Sequence, residues 1–137
     1  MRTVIALTGI LSLFYFNNAY SETSEFHGIV SKVSDGDTIH VLHENKTTKI
    51  RLSHIDAPER KQIHGRKSQK FLENMILNKS VTVECKMKNG KWYRGFYGRP
   101  ICNIYLYEIN SPTYINAKMI KSGNAWVYKS ERNNPYL

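Results

Sequence analysis

The sequence predicts an α+β domain that is mainly β: a small closed antiparallel barrel of five strands with two or three helices. Three observations carry that expectation. Short runs of β-branched and aromatic residues alternate with polar ones and are bounded by Gly, Asn and Asp. Two stretches place apolar residues at helical spacing, one after the third strand-like run and one after the fifth. The 137 residues contain no internal repeat, low-complexity tract or second domain.

Phe26 to Val33 (F-H-G-I-V-S-K-V) reads as the first strand. Thr38 to His43 and Thr48 to Leu52 follow as a hairpin joined by the polar turn Glu44-Asn45-Lys46-Thr47. Arg60 to Lys67 is polar and basic, with Gly65 as a breaker, and reads as a loop over the acidic residues that precede it. From Lys67 to Asn78, Phe71, Leu72, Met75 and Ile76 form one apolar stripe, so a core-facing helix is expected there with Asn78 as its stop. Val81 to Cys85 is the fourth strand and Ile101 to Tyr107 the fifth. Between them Lys86 to Arg99 makes a basic, aromatic, glycine-rich excursion. Ser111-Pro112 is expected to break the chain and start a second helix, which runs through Ala117 and Met119 to a C-cap at Gly123. Ala125 to Tyr128 is a last extended piece. One helix inside a five-stranded barrel resembles the OB-fold, a scaffold whose surface commonly holds oligonucleotides.

The chain opens with Arg2, a short apolar run from Val4 to Phe16 and small residues at Ala19 and Ser21, which together describe a secretory signal peptide over residues 1–21. The run is short for a membrane span; an uncleaved anchor is the alternative. The expected domain is then 22–137, secreted or periplasmic, without stable membrane association. Loss of Arg2 lowers the formal charge only from +9 to +8, an excess that draws a small domain to polyanions without naming which. The two cysteines, Cys85 and Cys102, lie at the end of one strand and the start of another. If those strands are antiparallel neighbours in an exported protein, a disulfide follows; two buried free thiols are the alternative. Neither cysteine has a partner at zinc-ligand spacing.

Chemistry concentrates between Val33 and Arg60. Asp35-Gly36-Asp37 precedes the hairpin and Asp56-Ala57-Pro58-Glu59 follows it, so the returning chain sets Asp37 beside Asp56, with Arg51 and Glu59 near the same end. Carboxylates crowded together repel, and a hard cation on oxygen ligands relieves that repulsion. The plainer alternative is that these residues only make turns. Asp35 stands between the two readings, an outer carboxylate or the turn residue before Gly36.

D-G-D-T, R-L, I-D-A-P-E and then Tyr97-Gly98-Arg99, in that order from about Phe26 to Tyr128, resemble the staphylococcal nuclease (thermonuclease) family. The resemblance implies an OB-fold nuclease that uses Ca²⁺ held by Asp37, Asp56 and the carbonyl of Ala57. It further implies Glu59 as general base or water-orienting group and Arg51 and Arg99 as catalytic cations on phosphate. Tyr97 and Tyr128 are substrate-binding candidates that hydrogen-bond a phosphate or stack on a base. The implied activity is hydrolysis of DNA and RNA, single strands preferred, with little sequence preference and 3′-phosphorylated products, by a monomer. A non-catalytic OB-fold nucleic-acid-binding module is the alternative. Two departures stand out: Gly95 and Phe96 occupy positions where the family commonly carries an acidic and a basic residue, and an end at Leu137 leaves no room for a third, C-terminal helix.

Overall fold

The computed structural model describes residues 22–109, 111–131 and 133. The leader expected over residues 1–21 lies outside them. In chain order the elements are β1 (Thr23–Asp35), β2 (Thr38–His43), β3 (Lys46–Leu52), β4 (Ile55–Asp56), α1 (Gly65–Ile76), β5 (Ser80–Lys88), β6 (Lys91–Trp92), β7 (Ile101–Glu108), β8 (Ser111–Tyr114), α2 (Ile115–Lys121) and β9 (Trp126–Val127). A 3₁₀ turn, Lys129–Glu131, follows.

Five of the strands close a ring. β1 pairs with β2, β2 with β3, β3 with β7, β7 with β5 and β5 again with β1. This is the mainly β, OB-fold-like barrel that the alternation predicts, with two α-helices. It is not wholly antiparallel. Arg51 and Leu52 of β3 run parallel to Ile101 and Cys102 of β7. Five is odd, and strands cannot alternate in direction all the way around an odd ring, so one parallel seam is a geometric necessity.

The strands differ from their predicted limits for identifiable reasons. β1 extends beyond Phe26–Val33 because it serves two neighbours: Thr23 to Ile29 pair with β5, and Ile29 to Asp35 with β2. Register shifts after Val30 and Val33 bend it from one to the other, as bulges do. The β2–β3 turn is tighter than expected. Only Glu44 and Asn45 form it, both with positive φ (46° and 61°), the two-residue geometry whose twist suits a hairpin, and Lys46 and Thr47 already belong to β3. Ser111-Pro112 does not begin a helix. Pro112 sits opposite Tyr107 on β8, an edge strand where a missing N–H is tolerated, and α2 starts at Ile115.

The barrel interior is aliphatic: Val30, Val41, Ile50, Val83 and Ile104 are all fully buried. Helix α1 buries Leu72 and Ile76 completely and packs Phe71 and Met75 against the same core, the predicted stripe. Each fully buried aliphatic side chain of this kind stabilises the fold by about 1.5–3 kcal/mol. The helix ends where Asn78, at φ 62°, turns the chain and donates its N–H to the Val30 carbonyl (2.8 Å), delivering β5 beside β1. Gly123, at φ 72°, plays the corresponding part after α2 and donates to Ile120 O at 2.9 Å. Cys85 and Cys102 face each other across β5 and β7 and are joined by a disulfide.

Candidate active site

The hairpin register brings the acidic clusters together. Thr38 stands opposite Arg51 on β2 and β3, and the Leu52 N–H donates to the Asp37 carbonyl at 2.8 Å. Asp37 is buried, at 2% exposure. One carboxylate oxygen accepts from the Arg51 guanidinium and from the Thr38 hydroxyl (3.0 Å). The other accepts the Ala57 N–H at 2.8 Å. Arg51 reaches across to the second cluster, donating through Nη2 to Asp56 Oδ1 (2.8 Å) and to the Ile55 carbonyl (3.1 Å). One guanidinium thus holds both aspartates.

Arg99 joins the same network from the other side of the seam. The Pro100 carbonyl accepts the Arg51 N–H at 2.9 Å, which sets residue 99 beside Arg51. Arg99 Nη1 then donates to Thr38 Oγ1 at 2.8 Å. A continuous polar chain runs Arg99, Thr38, Asp37, Arg51, Asp56. Thr38 is the member that sequence reasoning missed; its signal was its place in D-G-D-T, where it passes for an ordinary strand residue.

Glu59 lies on the exposed connection between β4 and α1. Gln62 fixes it, accepting the Glu59 N–H through its side chain (2.7 Å) while its own N–H donates to the Glu59 carbonyl (2.8 Å). Gly65, expected as a loop breaker, is instead the first residue of α1 and packs against that carbonyl so closely that a Cβ would collide with it. Gly36 is constrained likewise, since a Cβ there would clash with Ser68 on α1 and sit 2.8 Å from the Ala57 Cβ. Helix α1 is therefore pressed onto both acidic clusters.

Arg51, Asp56, Glu59, Tyr97, Arg99 and Tyr128 line one cleft of about 550 Å³, which Lys86, Tyr93 and Phe96 extend. Tyr128 is delivered by β9, which pairs with β4, and its N–H donates to the His54 carbonyl at 2.8 Å. Tyr97 is exposed at the rim, with the Arg99 guanidinium 5.5 Å from its ring centre. Trp126 is half exposed and lines a neighbouring cavity with Ile63 and His64. Asp35 accepts the Asp37 N–H at 3.1 Å and so acts as a turn residue, the structural half of its double reading. Lacking the charged pair usual before Tyr97, the 93–99 segment is held by backbone bonds, Gly95 N–H to Arg99 O and Gly98 N–H to Gly95 O (both 2.9 Å).

Burial raises the Asp37 carboxyl to about 6; Arg51 opposes that rise and the Asp35 carboxyl reinforces it. Burial pulls the Arg51 guanidinium down, but the two aspartates outweigh it and hold its pKa above the ordinary value. The two directions agree: Arg51 is shared between two carboxylates, whereas Asp37 has one cation to set against burial. Asp37 and Asp56 contact Arg51, and Asp56 and Glu59 line the cleft with Arg51, Arg99 and Lys86, a site of interleaved carboxylates and cations in a protein of formal charge +9. Its donors are all oxygen, which suits a hard divalent cation and disfavours zinc or copper. Among the described residues no three His, Cys, Asp or Glu side chains form a closed metal cage, so any ion here would take main-chain carbonyls and water as well.

Comparison with known proteins agrees with this geometry. Residues 49–136 match the profile described as staphylococcal nuclease homologue. A protein from Escherichia coli O157:H7 named as an uncharacterized endonuclease is 37% identical over 114 residues, covering 83% of this chain and 69% of that protein. Another of the same description from Haemophilus influenzae is 37% identical over 132 residues, 96% of this chain and 68% of its relative. The micrococcal nuclease of Shigella flexneri is 34% identical over 112 residues, 77% and 60% of the two chains. With the barrel, the ordered motifs and these relatives in agreement, the chain belongs to the staphylococcal nuclease family and is a nuclease.

Proposed function

We propose that this nuclease is exported, to the medium or the periplasm, and as a monomer hydrolyses DNA and RNA in a Ca²⁺-dependent reaction. Single strands are its preferred substrates, sequence matters little, and the products carry 3′-phosphates. The observation that supports the reading best is Arg51 bridging Asp37 and Asp56 in the cleft that Glu59 and Arg99 also line.

A phosphodiester repels nucleophiles because it is already negative, so the site must offset charge and direct water. Asp37, Asp56 and the Ala57 carbonyl would hold the cation. When bound, it supplies Lewis-acid stabilisation of the phosphate oxygens. The remaining work belongs to the side chains. Glu59, exposed to the cleft and set by Gln62 and Gly65, orients the attacking water and accepts its proton. Three of the five Arg51 N–H groups are taken by Asp37, Asp56 and Ile55, which leaves two for a phosphate oxygen. Arg99 donates once to Thr38 and keeps the rest of its planar fork for the same phosphate. Neither arginine serves as the acid, since guanidinium does not release its proton in this range. Tyr97 and Tyr128 flank the bound strand.

Incubating the protein with single-stranded DNA and RNA, in Ca²⁺, Mg²⁺ or chelator, tests the reading, with phosphatase treatment and end-labelling to place the terminal phosphate. Ca²⁺-dependent cleavage with 3′-phosphate ends is expected. Binding with no cleavage in any metal would favour the non-catalytic module.

A further inference from the structure

Phe96 is almost entirely solvent-exposed, at 97%, and nothing in the catalytic scheme uses it. A large apolar ring so placed loses the stabilisation that burial would give it. The turn beneath it is firmly built. Gly95 N–H donates to Arg99 O and Gly98 N–H to Gly95 O, both at 2.9 Å; Gly98 takes φ 71°; and Arg94 Nη1 donates to the Gly98 carbonyl at 2.6 Å. Arg94 and Pro100 pair across its base. Phe96 packs edge-on against Tyr97 (ring centres 5.2 Å apart), which in turn carries the Arg99 guanidinium.

We infer that Phe96 is a stacking platform for an unpaired nucleobase of the substrate strand, one position removed from the phosphate at Arg99. The inference rests on the nucleic-acid reading of the cleft and adds to it a residue that sets the preference for single strands. The geometry suits that ligand. Phe96 lines the same cleft as Arg51 and Glu59, so a strand whose phosphate reaches Arg99 passes the ring. Lys86 lines the cleft with Phe96 and Arg94 braces the turn, cations for the adjoining phosphates, and no carboxylate lies between Lys86 and Arg99 in the sequence. A base within a duplex has both faces covered by its neighbours, whereas an unpaired base offers one to the ring. Ring stacking is also indifferent to base identity, which fits little sequence preference.

The test measures binding in chelator, so that it does not depend on turnover. Short fluorescent single strands, each with one abasic position moved along the sequence, are titrated with the full-length wild type and with Phe96→Ala and Phe96→Trp. Wild type should lose roughly fivefold to a hundredfold in affinity when the base at one position is removed. Phe96→Ala should bind the intact strand as weakly as wild type binds that abasic strand, and Phe96→Trp should restore the difference. Duplex binding should be little changed in all three. If Phe96→Ala binds the intact strand as wild type does, or loses equally on intact and abasic strands, the stacking role is overturned. Those outcomes stand apart from the nuclease reading, which a separate cleavage assay in Ca²⁺ decides.

Discussion

Asp37→Asn should remove a pH-dependent penalty from the folded protein. Asp37 is buried among Arg51, Thr38 and the Ala57 N–H, and burial moves its carboxyl from the ordinary 3.8 to about 6. That displacement corresponds to about 3 kcal/mol. The direction follows from proton counting. Between pH ~4 and pH ~6 the folded, metal-free protein holds a proton that the unfolded chain has released, so the contribution of Asp37 to stability falls as pH rises through this window. Asparagine does not titrate and lacks that slope. Urea unfolding of both proteins in chelator from pH 4 to pH 7 should therefore show the variant gaining on wild type by about 3 kcal/mol, most of it between pH 4 and 6. Added Ca²⁺ should stabilise only the wild type, and far less at pH 5, where about a tenth of the Asp37 carboxyls are ionised, than at pH 7. A stability difference independent of pH, or one moving in favour of the wild type as pH rises, would refute the reasoning.

Three further outcomes follow from the geometry. Glu59→Gln should lower single-turnover cleavage by about a hundredfold to ten-thousandfold while leaving strand affinity in chelator unchanged, since the amide cannot accept a proton. Gly65→Ala forces a methyl against the Glu59 carbonyl, so about 1–3 kcal/mol of stability should be lost in thermal unfolding, and the maximal cleavage rate should drop more than KM changes. The disulfide encloses a segment of sequence separation 17, so reduction should destabilise the barrel by about 3 kcal/mol, and mass spectrometry after alkylation without reductant should find neither cysteine labelled.

What the sequence revealed of the fold was the part governed by local periodicity. The stripe Phe71, Leu72, Met75, Ile76 faces the core as expected, and the five long strands fall where alternation puts them. Features set by distant partners were not legible. Gly65 has the composition of a loop breaker, and only the approach of Glu59 shows why glycine enters a helix there. Ser111-Pro112 carries a turn signal, and it takes the edge of β7 to make a strand of it. In the site, the D-G-D-T and I-D-A-P-E clusters were readable because the hairpin joining them is short. Thr38 as the link to Arg99 was not, because a strand threonine shows no sign of which arginine a loop 61 residues away will bring to it. Nor could Gly95-Phe96 be distinguished from a lost charge pair until the ring was seen exposed on a braced turn.

The parallel seam carries a consequence for the order in which the chain acquires its power. Arg51 and Leu52 meet Ile101 and Cys102 only after an intervening loop of some 50 residues has been drawn together, and such distant pairings form late in folding. The β1–β2–β3 meander assembles from neighbours, yet by itself it has no Arg99 and no Pro100 carbonyl to orient Arg51. Cys102, on the same rung as Leu52, is also the residue tied to Cys85. Ring closure, the disulfide and the pairing of the two arginines thus coincide at one place in the fold. A chain whose ring is still open carries Asp37, Arg51 and Asp56 without Arg99, and the site is complete only once the ring is shut.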